Sequence, residues 1–295
     1  MISIFASVFG KKVFIFYIFF HTKNMRKFGF KSDVILDYKE TEYGSFKPVG
    51  KTNNNPGDLF NRVRVVLSEN NEYNKKAGEY ITLNLDYSSG VAEYRKKFIV
   101  ALSKEIKRIT KKAKSILCIG IGNSSIISDS LGPKVVSMLQ NSTAEELACC
   151  IKSFSPNVVG NTGIDSYKIV KLLTKELKPD VVIIIDSLCS RMFSRIGSSF
   201  QLSTAGIVPG SGVGTNNMEL TENTLGTKVL AIGVPTVVYL KSLLFEIFES
   251  LNAISKIDVS KIPYDDIYVS PKEIDLIIND CADLIYSAIK MCFSK

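Results

Sequence analysis

The chain has 295 residues, 45% of them hydrophobic and 22% charged, an ordinary globular composition that allows one large domain or two small ones. It contains a single histidine, His21, which excludes a histidine-rich zinc site and leaves a Ser-His-Asp or Cys-His centre only that residue to use. The formal charge of +8 favours acidic partners without identifying one.

The N-terminal stretch contains an apolar run, Val13–Phe20, with Lys11 and Lys12 before it. The run is shorter than the about 20 residues of a membrane-spanning helix, and no Ala-x-Ala cleavage site follows it. We therefore predict that residues 1–31 are an N-terminal extension with no membrane role, and that Met25 is a candidate start of translation. A weak membrane-associating or targeting segment is the alternative.

The remaining chain alternates strand and helix patterns. Predicted strands cover Val63–Leu67, Tyr80–Leu85, Ser115–Ile121, Asp180–Ile185 and Val229–Val234. Predicted helices cover Val91–Lys112, Leu131–Leu139, Ile164–Leu177, a segment that follows Val234 and ends near Ser250, and Ile274–Cys292. This alternation predicts an α/β fold with a mainly parallel sheet. No Pro-, Gly- or Ser-rich linker interrupts it, so residues 32–295 are predicted to form one domain.

Six cysteines are scattered along the chain without a Cys-x-x-Cys pair. Cys118 and Cys189 lie in or just after apolar, strand-like runs, where cysteine usually acts as a small buried hydrophobe. A disulfide framework is not expected in so long a chain. The cysteines therefore indicate a reducing, cytoplasmic setting.

Two aspartates follow predicted strands. Asp186 ends the Asp180–Ile185 strand, and Asp129 comes one short loop after Ser115–Ile121. In open α/β sheets, ligands bind beyond the carboxyl ends of the strands. Two carboxylates close together do not both ionise readily, so one can hold a proton while the other acts as a base. The alternative is structural, because aspartate is a leading helix N-cap residue and each aspartate could cap the next helix.

Two glycine-rich stretches, 120–125 and 206–214, match no cofactor motif. The first has Ser125 where a dinucleotide-binding fingerprint needs its third glycine, and the second lacks the Gly-Lys-Ser/Thr ending of a phosphate-binding loop. Ser211 lacks the spacing of a nucleophile elbow, since Pro209 stands before Gly210. These glycines could shape the rim of a cleft or form an ordinary loop.

At these segments the chain resembles the spore germination protease family. The matching stretches, in order along the chain, are residues 120–133 (GIGNSSIISDSLGP), 156–164 (PNVVGNTGI), 179–191 (PDVVIIIDSLCSR), 204–214 (TAGIVPGSGVG), 230–238 (LAIGVPTVV) and 269–275 (VSPKEID). The likeness runs from about residue 32 to the C-terminus. Several long motifs agree at once, so we treat the resemblance as specific.

The resemblance implies an endopeptidase without metal or cofactor, in which Asp129 of the Asp-x-Leu-Gly-Pro motif and Asp186 before x-Leu-x-x-Arg are catalytic. It implies a three-layer αβα fold like that of hydrogenase-maturation proteases, and a homotetramer in the forespore or spore core. The implied substrates are small acid-soluble spore proteins. A self-processing zymogen is also implied, with residues 1–31 as a probable propeptide and cleavage after Asp33, between it and Val34. Residues expected to bind substrate or shape the cleft are Gly122, Asn123, Gly132, Arg191, Gly210, Ser211 and Gly212.

Three other functions are weighed beside this one. A related metal-assisted maturation endopeptidase would use the Asp129 region to recognise nickel, but the chain beyond His21 lacks histidine. A non-catalytic sporulation protein could carry the same Gly-Asn and Asp-x-Leu-Gly-Pro loop as a binding module. A nucleic-acid-binding protein is suggested only by charge, since no basic helix with interleaved aromatic residues is present.

Overall fold

The computed structural model describes residues 7–9, 12–14, 32–37, 60–71, 75–85, 91–142, 150–158, 162–209, 218–251 and 266–293. His21, Met25 and the predicted cleft residues Gly210, Ser211 and Gly212 lie outside these ranges. None of the described helices combines the length and the apolar character needed to cross a bilayer.

Ten strands and six α-helices are named here in chain order. The strands are β1 (Ser7–Phe9), β2 (Lys12–Phe14), β3 (Phe60–Leu67), β4 (Gly78–Leu85), β5 (Ser115–Gly120), β6 (Cys150–Phe154), β7 (Val181–Ser190), β8 (Ser199–Ser203), β9 (Lys228–Tyr239) and β10 (Tyr268–Val269). The helices are α1 (Val91–Ile109), α2 (Leu131–Gln140), α3 (Ser166–Leu177), α4 (Glu222–Leu225), α5 (Leu240–Ser250) and α6 (Ile274–Phe293).

The central sheet has the strand order β3-β4-β8-β9-β7-β5-β6, and β10 pairs with β9. Strands β6, β5, β7 and β9 are parallel to one another, whereas β8, β4 and β3 extend the sheet with antiparallel pairs. Strands β1 and β2 form a separate antiparallel hairpin. The predicted α/β fold with helices on both sides of the sheet is confirmed, and the antiparallel extension is added to it.

Alternating side chains along the sheet build a core on each face. On one face, α1, α2 and α6 pack against the side chains of Ile183 and Ile185. On the other, α3 and α4 pack against Val182 and Ile184. Since successive residues of a strand point to opposite faces, Asp186 and Leu188 lie on the same face as Val182 and Ile184. This face is the one that carries the site.

Strand β7 is longer than predicted, and this changes the position of Asp186. The apolar run ends at Ile185, but the backbone continues to pair with β9 as far as Ser190. Strand β5 pairs with β7 only up to Ile185, so residues 186–190 run beyond it and expose a strand edge. Asp186 therefore lies inside a strand rather than at its end, next to an edge that can accept another chain segment.

Two further differences from the prediction concern short strands. Neither β6 nor β8 was predicted, because each has five residues and mixes polar with apolar side chains. Their strand conformation comes from pairing with neighbours in the sheet, which overrides weak local preference.

Candidate active site

Asp129 is held by a tight loop that leaves the end of β5. The backbone N–H of Asn123 donates to Asp129 Oδ2 at 2.8 Å. Gly122 has φ +120°, and a Cβ there would lie 2.0 Å from the Asp129 carbonyl oxygen. Only glycine permits this close approach. Gly122 and Asn123, both predicted site residues, thus shape the loop that positions the carboxylate.

Gly132 brings the start of α2 against the ends of two strands. A Cβ at Gly132 would lie 2.4 Å from the carbonyl oxygen of Ile121 and 2.5 Å from that of Ile185. The absence of a side chain lets α2 sit directly beside β5 and β7. Asp129, three residues before Gly132, is thereby placed next to the strand that carries Asp186.

The two predicted catalytic aspartates are close enough to interact electrostatically. Asp186 is buried, and burial, followed by the charges of Asp129 and Asp33, raises its pKa well above the usual value. Partial burial raises the pKa of Asp129 to about 6, against the opposing effect of the Asn123 N–H. Burial therefore favours the protonated form of both carboxyl groups, and the like charges of neighbouring carboxylates favour it further at Asp186.

The helix-capping alternative does not describe either aspartate. Ser130 occupies the N-cap position of α2, without a side-chain capping bond, and the Asp129 carboxylate bonds to the Asn123 N–H instead. Asp186 lies within β7, where it pairs with Gly233 of β9. Neither aspartate therefore occupies the N-cap position of a helix.

Residues 32–37 dock against the exposed edge of β7. The Asp33 N–H donates to the Cys189 carbonyl at 2.8 Å, and the Cys189 N–H donates to Asp33 Oδ2 at 3.0 Å. Gln201 Nε2 donates to the Asp33 carbonyl oxygen at 3.2 Å, and the Ile35 N–H donates to Gln201 Oε1 at 2.7 Å. The groups on both sides of the Asp33–Val34 peptide bond, the predicted cleavage site, are therefore held by hydrogen bonds, and the charge of Asp33 acts on Asp186.

A buried ion pair anchors the end of this segment. Asp37 Oδ1 accepts from Arg195 Nε at 2.8 Å. Its Oδ2 accepts from the Arg191 N–H at 2.7 Å and from Ser190 Oγ at 3.3 Å, and Ser32 Oγ donates to the same oxygen. Both Asp37 and Arg195 are buried. The carboxylate is thus compensated by a charge and by several hydrogen bonds, as a buried charge requires.

The apolar residues of the docked segment complete a small core. Val34 and Leu36 are buried and pack in one cluster with Leu188 and Tyr80. Arg191, predicted to bind substrate, contributes its backbone N–H to Asp37, while its guanidinium lies 5.4 Å from the centre of the Phe245 ring. In this structure Arg191 therefore helps to hold residues 32–37 through its backbone N–H.

Sequence reasoning missed Asp37, Arg195 and Gln201. Asp37 lies just before the charged residues Lys39 and Glu40, and Gln201 lies in a short strand that was not predicted. No local motif marks these residues. Their roles arise from contacts across about 150 positions of sequence, which a single sequence does not reveal.

Comparison with known proteins decides the family. A sequence model described as germination protease matches residues 40–251, which include both aspartates. The chain belongs to the germination protease family. It is therefore a peptidase of the spore germination kind. The docked segment 32–37 precedes the matched range.

Individual germination proteases are similar over most of the chain. The protein from Caldanaerobacter subterraneus subsp. tengcongensis is 33% identical over 89% of this chain and 94% of its own length. That from Clostridium acetobutylicum is 33% identical over 74% of this chain and 79% of its own length. Among solved structures, a nickel–iron hydrogenase maturation protease from Thermococcus kodakarensis covers 63% of this chain and 99% of its own, at 18% identity and a TM-score of 0.36.

Within the residues that the structure describes, no group of three or more His, Cys, Asp or Glu side chains is arranged to hold a metal ion. The charges of Asp129 and Asp33 act on the Asp186 carboxyl group.

Proposed function

We propose that this chain is an endopeptidase that degrades small acid-soluble spore proteins during germination, and that it is made as a zymogen that cleaves itself after Asp33. Asp129 and Asp186 carry the reaction. The observation that supports this most directly is the docking of residues 32–37, which puts the Asp33 carboxylate close enough to Asp186 to raise its pKa. The proposal includes a homotetramer in the spore core, as the family resemblance implies.

The two aspartates divide the reaction between them. Ionised Asp129 removes a proton from a water molecule, whose oxygen attacks the carbonyl carbon of the scissile bond. Protonated Asp186 donates its proton to the carbonyl oxygen as negative charge develops there. As the tetrahedral intermediate collapses, the C–N bond breaks and the departing nitrogen takes up the proton that Asp129 received. The hydroxyl that Asp186 protonated returns its proton to Asp186 as the C=O bond forms again, so both aspartates regain their starting states. The products are a new carboxyl group and a new amino group.

The docked segment explains how such an enzyme stays inactive before processing. Asp33 adds a backbone and side-chain pairing to the edge of β7, the same edge on which an extended substrate would be bound by strand addition. A substrate and the segment cannot occupy this edge together. Cleavage between Asp33 and Val34 would release the residues before Val34 and free the position that Asp33 occupies.

Acid pH should slow self-cleavage. Burial raises the pKa of Asp129 to about 6, so the base becomes protonated as the pH falls through that value. We expect the first-order rate of self-cleavage to fall about tenfold for each pH unit below 6, and to level off above it while Asp186 keeps its proton. Rates between pH 4.5 and 8, from mass spectrometry of the intact chain, test this. A rate that is flat between pH 4.5 and 7 would exclude Asp129 as the base.

The substrate is tested with a chain that begins at Val34. This trimmed chain is incubated with a purified small acid-soluble spore protein, and the fragments are identified by mass spectrometry. In parallel, the N-terminus of the full chain is sequenced after incubation. We expect discrete spore-protein fragments and a new N-terminus at Val34. An uncut spore protein would favour the non-catalytic binding module, and a mature protein with residues 32–34 intact would show that the processing site is wrong.

A further inference from the structure

The Gln201 side chain holds the docked segment through main-chain groups. Its Nε2 donates to the Asp33 carbonyl oxygen, and its Oε1 accepts from the Ile35 N–H. These two hydrogen bonds lie on either side of Val34 in the chain. The Val34 side chain itself packs into the apolar cluster that includes Leu188. A clamp of this kind does not depend on the side chains of the bound segment. Gln201 can therefore bind any peptide that takes the place of residues 33–35.

Strand register places Gln201 on the same face of the sheet as Asp186. Gln201 pairs with Gly233 between β8 and β9, and Gly233 pairs with Asp186 between β9 and β7. Paired residues point to the same face, and two strand spacings, about 10 Å, separate the two outer backbones. The middle residue has no side chain, and Leu188 packs over it. Gln201 and Asp186 therefore face the same side of the sheet, and the Leu188 side chain covers the glycine between them.

We propose that Gln201 is a catalytic hydrogen-bond donor, which stabilises the oxyanion formed at the Asp33 carbonyl oxygen. This inference rests on the proposed function, because it takes Asp33–Val34 as the bond that is cleaved. When water adds to the carbonyl carbon, the negative charge develops on the oxygen to which Gln201 Nε2 already donates. A carbonyl oxygen has two lone pairs, so the bond from Gln201 leaves one free for a second donor.

The size of the effect follows from other enzymes that use such a donor. Removing one hydrogen-bond donor from an oxyanion site lowers the turnover rate by about 10²–10³-fold. The donor is buried and preformed here, since Gln201 is only 7% exposed and its Oε1 is fixed by the Ile35 N–H. A spore protein bound in place of the segment would present its own scissile carbonyl to the same amide.

The test compares Gln201→Met in the full chain with Ser199→Ala. Ser199 is a buried polar residue two positions away on β8, and it bonds to Asn84 rather than to the segment. We expect Gln201→Met to slow self-cleavage at least about 100-fold, and Ser199→Ala to change it less than about threefold. Hydrogen exchange of the Asp33 N–H, which bonds to Cys189 rather than to Gln201, reports whether the segment stays docked. We expect this amide to remain protected in both variants.

Two outcomes would overturn the inference. One is a self-cleavage rate for Gln201→Met within threefold of the parent; the other is a slower rate matched by an equal loss of protection at Asp33, which would make Gln201 a docking residue only. If Gln201→Met does not fold, Gln201→Glu replaces it. The glutamate keeps an acceptor for the Ile35 N–H but loses its hydrogen-bond donor when it ionises. Its self-cleavage rate should therefore fall as the pH rises, whereas the rate of the parent is level above pH 6. An unchanged pH profile would contradict the inference.

The Gln201→Met substitution is also introduced into the chain trimmed to Val34, and cleavage of a spore protein by that chain is measured. We expect kcat to fall by a similar factor while KM changes less than about threefold, since the donor acts on the transition state. A rise in KM with no change in kcat would mean that Gln201 binds the substrate but does not stabilise the transition state. If the proposed function is wrong, the parent chain itself will cleave at another bond or will cleave nothing in either assay. That result would also overturn the inference about Gln201.

Discussion

Replacing either Asp129 or Asp186 with asparagine should lower the rate of peptide cleavage by about 10²–10⁴-fold, the range for loss of a general acid or base. Asparagine keeps the size of the side chain and an acceptor for the Asn123 N–H at Asp129 or the Ser187 N–H at Asp186. It cannot take up or release the proton. Self-cleavage of the full chain and spore-protein cleavage by the trimmed chain are both expected to stop.

Loss of activity in these variants should not come from unfolding. Burial raises the pKa of both carboxyls, so the fold disfavours their ionised forms, and this cost is present at pH 7 and absent at pH values below the unfolded pKa. Asparagine removes the cost. We therefore expect both variants to be at least as stable as the parent at pH 7 in urea unfolding, a trade often found at active sites.

The matched control is Asp165→Asn at the N-cap of α3. There the Asp165 side chain accepts from the Tyr167 N–H, and asparagine caps a helix equally well. Activity and stability should both be unchanged. Full activity in Asp129→Asn or Asp186→Asn would remove that aspartate from the mechanism, whatever happens at the other.

Removing the Asp37 carboxylate should cost about 3–5 kcal/mol of the free energy of unfolding, since it takes away the carboxylate that pairs with the buried Arg195 guanidinium. The Arg191 N–H and the Ser190 hydroxyl lose an acceptor at the same time. Asp37→Ala is measured by urea unfolding of full-length protein that also carries Asp129→Asn, so that self-cleavage does not interfere. Hydrogen exchange at the Asp33 and Ile35 amides should rise as the segment loses its anchor.

The stability lost in Asp37→Ala is compared with the stability lost when an exposed ion pair is removed. Lys76 and Glu219 lie 2.7 Å apart but their side chains are 61% and 31% exposed, so Lys76→Ala should cost less than about 1 kcal/mol. Adding Arg195→Met to Asp37→Ala should recover part of the stability, because it removes the uncompensated charge. A cost for Asp37→Ala as small as that for Lys76→Ala would mean that the segment is not docked in solution.

The position of the Asp37 anchor relative to the cleavage site has a consequence for the processed enzyme. Asp37 lies on the C-terminal side of the Asp33–Val34 bond, so cleavage there would leave Asp37 attached to the protein. The Arg195 ion pair would then keep Asp37 on the sheet while residues 1–33 leave. The anchor is therefore expected to stabilise the mature chain as well as the precursor.

Much of the architecture could be predicted because it is recorded in local patterns. The apolar runs of β5 and β7 indicated buried parallel strands, and the 3.6-residue period of α1 placed Phe98, Leu102 and Ile106 on its buried face. Asp129 and Asp186 could be selected because ligands bind beyond the carboxyl ends of such strands, and because family motifs surround both residues. These signals lie within a few residues of one another along the chain.

The relation between the segment and the site could not be predicted in this way. It depends on where strands stop pairing: β5 leaves β7 after Ile185, and the free edge beyond that point accepts Asp33 at Cys189. Likewise, Gln201 joins the site only because the register of β8, β9 and β7 puts it in one row with Gly233 and Asp186. Strand register and edge exposure arise from pairing between distant segments.

The sequence by itself thus determined the longer apolar strands, the main helices, the α/β class and the two candidate carboxyl groups, because periodicity and motif are local properties of the chain. Only the tertiary structure decided that these carboxyls share one site, that their pKa values rise, and that Asp33, Asp37 and Gln201 lie beside them. The physical reason is that burial, charge proximity and strand pairing act between residues far apart in sequence, and they take their values only when the sheet has formed.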